Sequence, residues 1–284
     1  MPVMSYKVHV TGQIPQTGRG PLPDGSTRQW SPISSTLVAG AHDAVLIDAP
    51  FTTSQARAVI DWVRSSNKRL TAVYITHGHG DHWFGVLPLL DAFPEIPVLA
   101  TPGTIAQMRS QGSPEFRASF WDAVFPGQLP TGDVDVQQVG ADGFELEGHR
   151  LLPVELGHTD TDDTTALHIP DADLVVAGDS VYNGVHPYLT ESADGGIDAW
   201  LAALDIVGAL DTKHVVAGHK DPTASDDRSH IGATRRYLRD AQRLLAADLN
   251  SAQFYQAMLQ MHGDRINPGA LWGAAVTLLP SERN

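Results

Sequence analysis

One segment, Thr76-His77-Gly78-His79-Gly80-Asp81-His82, constrains what this chain can fold into more than any other. It follows residues 70–75, a β-branched run that reads as a buried strand, so a polar, glycine-broken cluster sits where loops carry chemistry. His77 and His79 are two apart on an extended segment, so both imidazoles can point the same way. The turn through Gly80 then re-aims Asp81 and His82 toward a second point. Three later segments repeat a shared grammar of apolar strand, glycine and ligand-type residue: Leu156-Gly157-His158, Val176-Ala177-Gly178-Asp179 and Val216-Ala217-Gly218-His219. Such placement brings side chains from separate strand ends to one rim, and glycine lets the backbones pass close to an ion.

Composition narrows the chemistry. The chain has no cysteine, which excludes disulfides, thiolate zinc sites, iron–sulfur clusters and cysteine nucleophiles. Any metal must then be held by imidazole and carboxylate, a donor set that suits Zn²⁺ first and is compatible with Fe, Mn or Co. Two ligand points in one loop imply two adjacent divalent ions. A net charge of −14, from 19 basic against 33 acidic residues, argues against a nucleic-acid partner, and a small-molecule substrate is expected. No apolar run approaches the roughly 20 residues needed to cross a bilayer, so no membrane partner is expected. Residues 1–13 lack a basic stretch followed by an apolar run, and the expected location is cytoplasmic.

The order of elements points to an α/β fold. Residues 35–40 and 44–48 read as a hairpin. Residues 53–65 read as a helix with Ala56, Val59, Ile60 and Val63 on one face. Helical patterns recur at 83–93 and 104–110, and residues 113–130 are irregular and rich in aromatics. From 134 to 179 the pattern is mainly strand, followed by a helix at 200–210 and a strand at 214–217. Two sheets face to face with helices outside, a four-layer αββα sandwich, accommodate this order. Residues 231–247, 252–262 and 267–279 are helical, after a plausible hinge at 222–227. The expected organisation is a catalytic domain over 1–225 and a C-terminal helical extension over 226–284 packed on it.

The His77-x-His79-x-Asp81-His82 run resembles the HxHxDH signature of the metallo-β-lactamase superfamily, and His158, Asp179 and His219 stand in the order of that family's later ligands. The resemblance covers roughly residues 35–220. It implies a first metal held by His77, His79 and His158, and a second held by Asp81, His82 and His219, with Asp179 bridging. It further implies hydrolysis through a metal-bridging hydroxide, with Asp81 relaying a proton to the leaving group. Asp48, at the end of the strand over 45–47, is placed to orient a ligand histidine.

Departures from parts of the family narrow the activity. The zinc β-lactamases lack a bridging Asp where Asp179 stands, and their commonest class uses a Cys ligand that this chain cannot supply. The ligand set matches the lactonase and glyoxalase II-like branch. Tyr182, three residues after Asp179, resembles the lactonase tyrosine whose hydroxyl contacts the substrate carbonyl. An ester or lactone is therefore the expected substrate, with thioesters and β-lactams as rivals and an iron-dependent sulfur dioxygenase-like oxidoreductase as the rival of another class. Phe116, Phe120, Trp121 and Phe125, together with Trp30 in residues 20–34, could form an apolar wall near the metals. His186 is open between pocket and core. Arg235, Arg236, Arg239 and Arg243 read as a solvated helix face, opposite an apolar stripe that could equally serve a homodimer contact.

Overall fold

The computed structural model describes residues 4–279. A mixed α/β architecture is built from two sheets. The first is six-stranded, in the order β1 (Ser5–Val10), β4 (Ser34–Ala39), β5 (Asp43–Ile47), β6 (Arg69–Tyr74), β7 (Val98–Ala100) and β8 (Val136–Gln138). The second is five-stranded, in the order β13 (His214–Lys220), β12 (Leu174–Asn183), β11 (Thr164–Ile169), β10 (His149–Gly157) and β9 (Phe144–Leu146). A short hairpin pairs β2 (Ile14–Pro15) with β3 (Gln29–Trp30).

The layers follow from side-chain alternation. A strand sends successive residues to opposite faces, and a strand covered on both faces must be apolar throughout. On β4 and β5, Leu37, Ala39, Ala44 and Leu46 pack outward, in one cluster with Val59, Ile60 and Val63 of α1 (Thr53–Ser65) and Leu89 of α2 (Val86–Ala92). Val38, Val45 and Ile47, between them, face inward onto Leu167, Leu174, Val176 and Val216 of the other sheet. On the far side, Val175, Ala177, Val215 and Ala217 meet Trp200, Ala203, Leu204 and Val207 of α6 (Gly196–Ala209). Three stacked clusters thus define helix, sheet, sheet and helix.

Between α2 and β8 lie α3 (Pro102–Gln111) and the region expected to be irregular. That region coils into α4 (Pro114–Phe116), a π-helical turn Arg117–Trp121 and α5 (Asp122–Val124). After β13 come α7 (Ser229–Leu245), α8 (Ser251–His262) and α9 (Pro268–Leu278). Tyr237, Leu238, Phe254, Met258 and Leu271 of these helices join the same apolar cluster as α6 and β12. Residues 280–284, the end of the expected extension, lie outside the described residues, as do residues 1–3.

Among the departures from the sequence-based expectation, α6 starts four residues early and β13 runs on to Lys220. β12 runs on to Asn183, beyond the expected 177, because its later residues pair in parallel with β13, including Tyr182 with His219. Residues 83–85 are not helical. Trp83 is held by its Nε1–H donating to the Gly78 carbonyl at 2.9 Å, which fastens the histidine loop before α2 begins. Trp200 is fully buried and its Nε1–H donates to the Ser180 carbonyl at 2.8 Å. Trp200→Ala is expected to cost about 3–5 kcal/mol of unfolding free energy in a urea titration, whereas the exposed Ile206→Ala on the same helix should change it by less than about 0.5 kcal/mol.

Candidate metal centre and its cavity

Strand ends meet at one rim. The loop after β6 brings His77, His79, Asp81 and His82, the β10–β11 connection brings Asp160, β12 brings Asp179 and β13 brings His219. The close approach needs glycine. A Cβ on Gly218 would lie 2.0 Å from Asp179 Oδ1, and one on Gly178, whose φ is +52°, would lie 2.7 Å from Thr76 Oγ1.

Two constellations result. His77, His79 and Asp160 each offer a donor atom within 4.8 Å of the others, as do Asp81, His82 and His219. Asp179 stands against the second group, with Oδ1 3.3 Å from His82 Nε2 and Oδ2 3.1 Å from His219 Nε2. Asp81 Oδ2 lies 3.4 Å from His219 Nε2 and 3.8 Å from His82 Nε2. All of these residues are buried.

Each imidazole is fixed from behind. Asp48 Oδ2 is 3.1 Å from His82 Nδ1, Thr76 Oγ1 is 3.0 Å from His77 Nδ1, and Glu191 Oε1 is 3.0 Å from His79 Nε2. His219 Nδ1–H donates to the Pro32 carbonyl at 2.8 Å, since a carbonyl only accepts. The other ring nitrogen of each is left for the centre. Asp48 also lies close to His77 and His82, but its oxygens already accept from the Thr76 backbone N–H at 2.9 Å and the Thr76 hydroxyl at 2.8 Å. Its contacts are those of the orienting carboxylate that its place after β5 suggested. Trp30 Nε1–H donates to Asp81 Oδ2 at 2.9 Å.

The inward atoms are what a metal needs. His77 Nε2, His82 Nε2, Asp160 Oδ2 and Asp179 Oδ1 are buried without a hydrogen-bond partner. Leaving such groups unsatisfied costs about 1–3 kcal/mol each, and lone pairs converging from imidazole and carboxylate fit divalent cations. The electrostatics agree. Burial opposes charge on His79, yet Asp160 and Glu191 hold it well above its ordinary pKa. Burial likewise opposes charge on His82 and His219, but Asp179 and Asp81 outweigh it, pushing His82 up to about 9 and holding His219 well above its usual range. Burial opposes ionisation of Asp179, but His219 and His82 hold it far below the carboxylate range. The cluster therefore demands positive charge.

Six of the seven ligands expected from the sequence converge here: His77, His79, Asp81, His82, Asp179 and His219. His158 does not join them. A bulge between Glu155 and Gly157, with Gly157 at φ +74°, turns its ring away, so that Nδ1 lies 2.6 Å from Asp162 Oδ1 and Nε2 packs against Gly196. The residue sequence reasoning missed is Asp160, inside the acid-dense run Asp160-Thr161-Asp162-Asp163, two positions after the histidine that drew attention. Tyr182 is buried, and its hydroxyl donates to Asp179 Oδ2 at 2.6 Å. His186 belongs to the core, where its Nδ1 is 3.0 Å from the Tyr237 hydroxyl.

A cavity of about 430 Å³ opens above the cluster. Asp81, Asp160, Asp179, His79 and His219 line its floor, and Trp30, Phe116, Phe120, Trp121 and Tyr188 give it an aromatic wall. Phe125, also expected there, is fully buried behind that wall, edge-on to Phe51 with centroids 4.7 Å apart. Gly269, Ala270, Gly273 and Val276 of α9 close the opposite side, and Arg19 and Arg28 bring positive charge to the cavity. Arg235 and Arg243 instead pair with Asp205 and Asp240 on the helix surface.

Comparison with known proteins agrees with this geometry. A family model described as the metallo-beta-lactamase superfamily matches residues 28–219. Ribonuclease J of Pyrococcus abyssi is 27% identical over 123 residues, 43% of this chain and 25% of that protein, so the match spans about a quarter of this curated relative. Among solved structures, VMB-1 superposes with a TM-score of 0.60 at 19% identity, covering 85% of this chain and 99% of that one. A metallo-beta-lactamase from Pontibacter korlensis gives 0.57 at 18% identity, over 82% and 99% of the two chains. FIM-1 from Pseudomonas aeruginosa, in a mono-zinc form, gives 0.56 at 17% identity, over 83% and 92%.

The position of Asp48 yields a test. Asp48→Ala removes the acceptor of three hydrogen bonds and should weaken metal binding by about 10–100-fold in a chelator competition, while Asp48→Asn should be milder because it still accepts from Thr76. Unchanged affinity in Asp48→Ala would remove its orienting role.

Proposed function

Because the chain belongs to the metallo-β-lactamase superfamily, we propose that it is a dinuclear metal-dependent hydrolase of esters or lactones, zinc being the first metal to test. The observation that carries the reading is the set of partnerless buried donors, drawn from two adjacent groups, at the floor of an aromatic-walled cavity. His77, His79, Asp81, His82, Asp179 and His219 would hold the ions, Asp179 from its place beside His82 and His219. Bound divalent metals would supply an activated water and polarise the scissile carbonyl.

The protein's own groups do the rest. Tyr182 holds Asp179 in place with its proton, and Glu191 fixes the ring of His79. Asp81 faces the cavity, steadied by Trp30, and is the group to pass a proton to the leaving oxygen. Trp30, Phe120 and Trp121 exclude water and accept an aryl or acyl portion. Arg19 and Arg28 make no ion pair with a described acidic residue, and Arg28 Nε is buried without a partner. A substrate carrying a carboxylate at the end away from the scissile bond complements them.

An ester fits better than a nucleic acid. A net charge of −14 repels a phosphate backbone, and the match to ribonuclease J covers a small part of that enzyme. The surface pairing of Arg235 and Arg243 leaves them out of the cavity, so the C-terminal arginines do not serve as a carboxylate site for a glutathione thioester.

The test is a panel of lactones, aryl esters, thioesters and β-lactams, in carboxylated and neutral versions, with Asp179→Ala as the control. An ester or lactone should be turned over at least about 100-fold faster than by the variant. If no member is, the hydrolase reading goes, and a single iron per chain with oxygen uptake would replace it with an oxidoreductase. Arg28→Gln should raise KM about tenfold for the carboxylated ester and leave the neutral one unchanged.

A further inference from the structure

We propose that Asp160, and not His158, is the third ligand of the metal position formed by His77 and His79, making it a two-histidine, one-carboxylate triad. The inference rests on the functional reading only in taking the cluster as a metal centre.

The geometry converges on one point. Asp160 Oδ2 is 2.8 Å from His79 Nδ1 and 3.8 Å from His77 Nε2. The shorter contact is an ion-pair distance, and Asp160 Oδ2 and His77 Nε2 are both buried without a hydrogen-bond partner. Imidazole nitrogens and a carboxylate oxygen converging at these distances are a donor set that a shared divalent cation would fit. The other oxygen, Oδ1, accepts from the Thr159 hydroxyl at 2.9 Å, which orients the carboxylate from behind as Thr76 and Glu191 orient the two rings. Asp160 has no exposed surface. A carboxylate is buried like this only where a cation or strong donors compensate it.

His158 faces away from that point. Its side chain is 20% exposed, with Nδ1 2.6 Å from Asp162 Oδ1. Its Nε2 faces Gly196 at the start of α6, where a Cβ would lie 2.8 Å from that nitrogen. Thr159 N–H donates to the Thr161 carbonyl at 2.9 Å, a tight turn that sends residues 158 and 160 to different sides. His158 Nε2, buried without a hydrogen-bond partner, lies against the start of α6 and forms no ligating group with His77 and His79.

The exchange has chemical consequences. A carboxylate in place of an imidazole lowers the charge of the loaded position by one and hardens its donor set, so Mn²⁺ and Fe²⁺ gain relative to Zn²⁺. It also gives the bound ion less power to attract electrons, which suits an activated ester better than an unactivated amide.

The experiment reads metal content, independent of turnover. The full-length protein and the variants Asp160→Ala, Asp160→His and His158→Ala are loaded with Zn²⁺ or Co²⁺ and dialysed. Bound metal is counted by mass spectrometry and the Co²⁺ ligand-field spectrum is recorded. Asp160→Ala should lose one of two bound ions, Asp160→His should restore it with an altered cobalt spectrum, and His158→Ala should keep both with the spectrum unchanged. Restoration by histidine separates ligand loss from misfolding. Loss of an ion in His158→Ala, retention of both in Asp160→Ala, or failure of Asp160→His to restore the ion would each overturn the assignment. Two ions held through Asp160 with no ester or lactone cleaved would leave this inference standing and remove the hydrolase reading.

Discussion

Burying Asp48, Asp81, Asp160 and Asp179 together, at the meeting of two sheets, is the constraint on which the rest of this structure depends. An ionised carboxylate taken out of water costs several kcal/mol even after the protein relaxes, and these four are compensated by imidazoles, hydroxyls and backbone N–H groups. Asp48 is the member whose oxygens are satisfied by the fold. The other three turn an oxygen toward His77, His79, His82 and His219, whose free nitrogens point back at them. Strand order, glycine positions and backing hydrogen bonds are arranged to hold that excess of lone pairs in one place.

The backing groups come from distant parts of the chain. Pro32 holds His219, Glu191 holds His79, and Trp30 holds Asp81. Trp30 sits on the small β2–β3 hairpin, and its ring also meets Phe120, Trp121 and Phe125 with centroids 5.4–6.3 Å apart. The wall that would receive a substrate and the acid that would move a proton are thereby mechanically joined. A change of aromatic packing at residues 116–125 should be felt at Asp81 through Trp30.

The C-terminal helices contribute in a way their polar faces conceal. α9 supplies Gly269, Ala270 and Gly273, small residues that leave room in the cavity, while its buried Leu271, Ala274 and Ala275 join the core beneath α6. Packing that looks like an appendage in the chain order thus forms one side of the candidate site.

Much of this was legible in the chain. Periodicity located α1 and its buried face, the hairpin of β4 and β5, and the last three helices, because burial on one side leaves a repeating mark. The spacing His77-x-His79-x-Asp81-His82 and the glycine before Asp179 and His219 disclosed six donors, since each stands at the end of a strand whose apolar run is legible in the chain. Asp48 could be suspected from its place at a strand end. What the sequence could not decide was which of His158 and Asp160 faces the centre. Both are ligand types two residues apart, and the choice lies in a bulge, a positive φ at Gly157 and a turn at Thr159, which are set by how β10 pairs with β11. The partners of Tyr182 and Trp30, and the arginines at the cavity, were likewise settled only when the two sheets closed, because contacts between residues far apart in the chain leave no periodic trace in it.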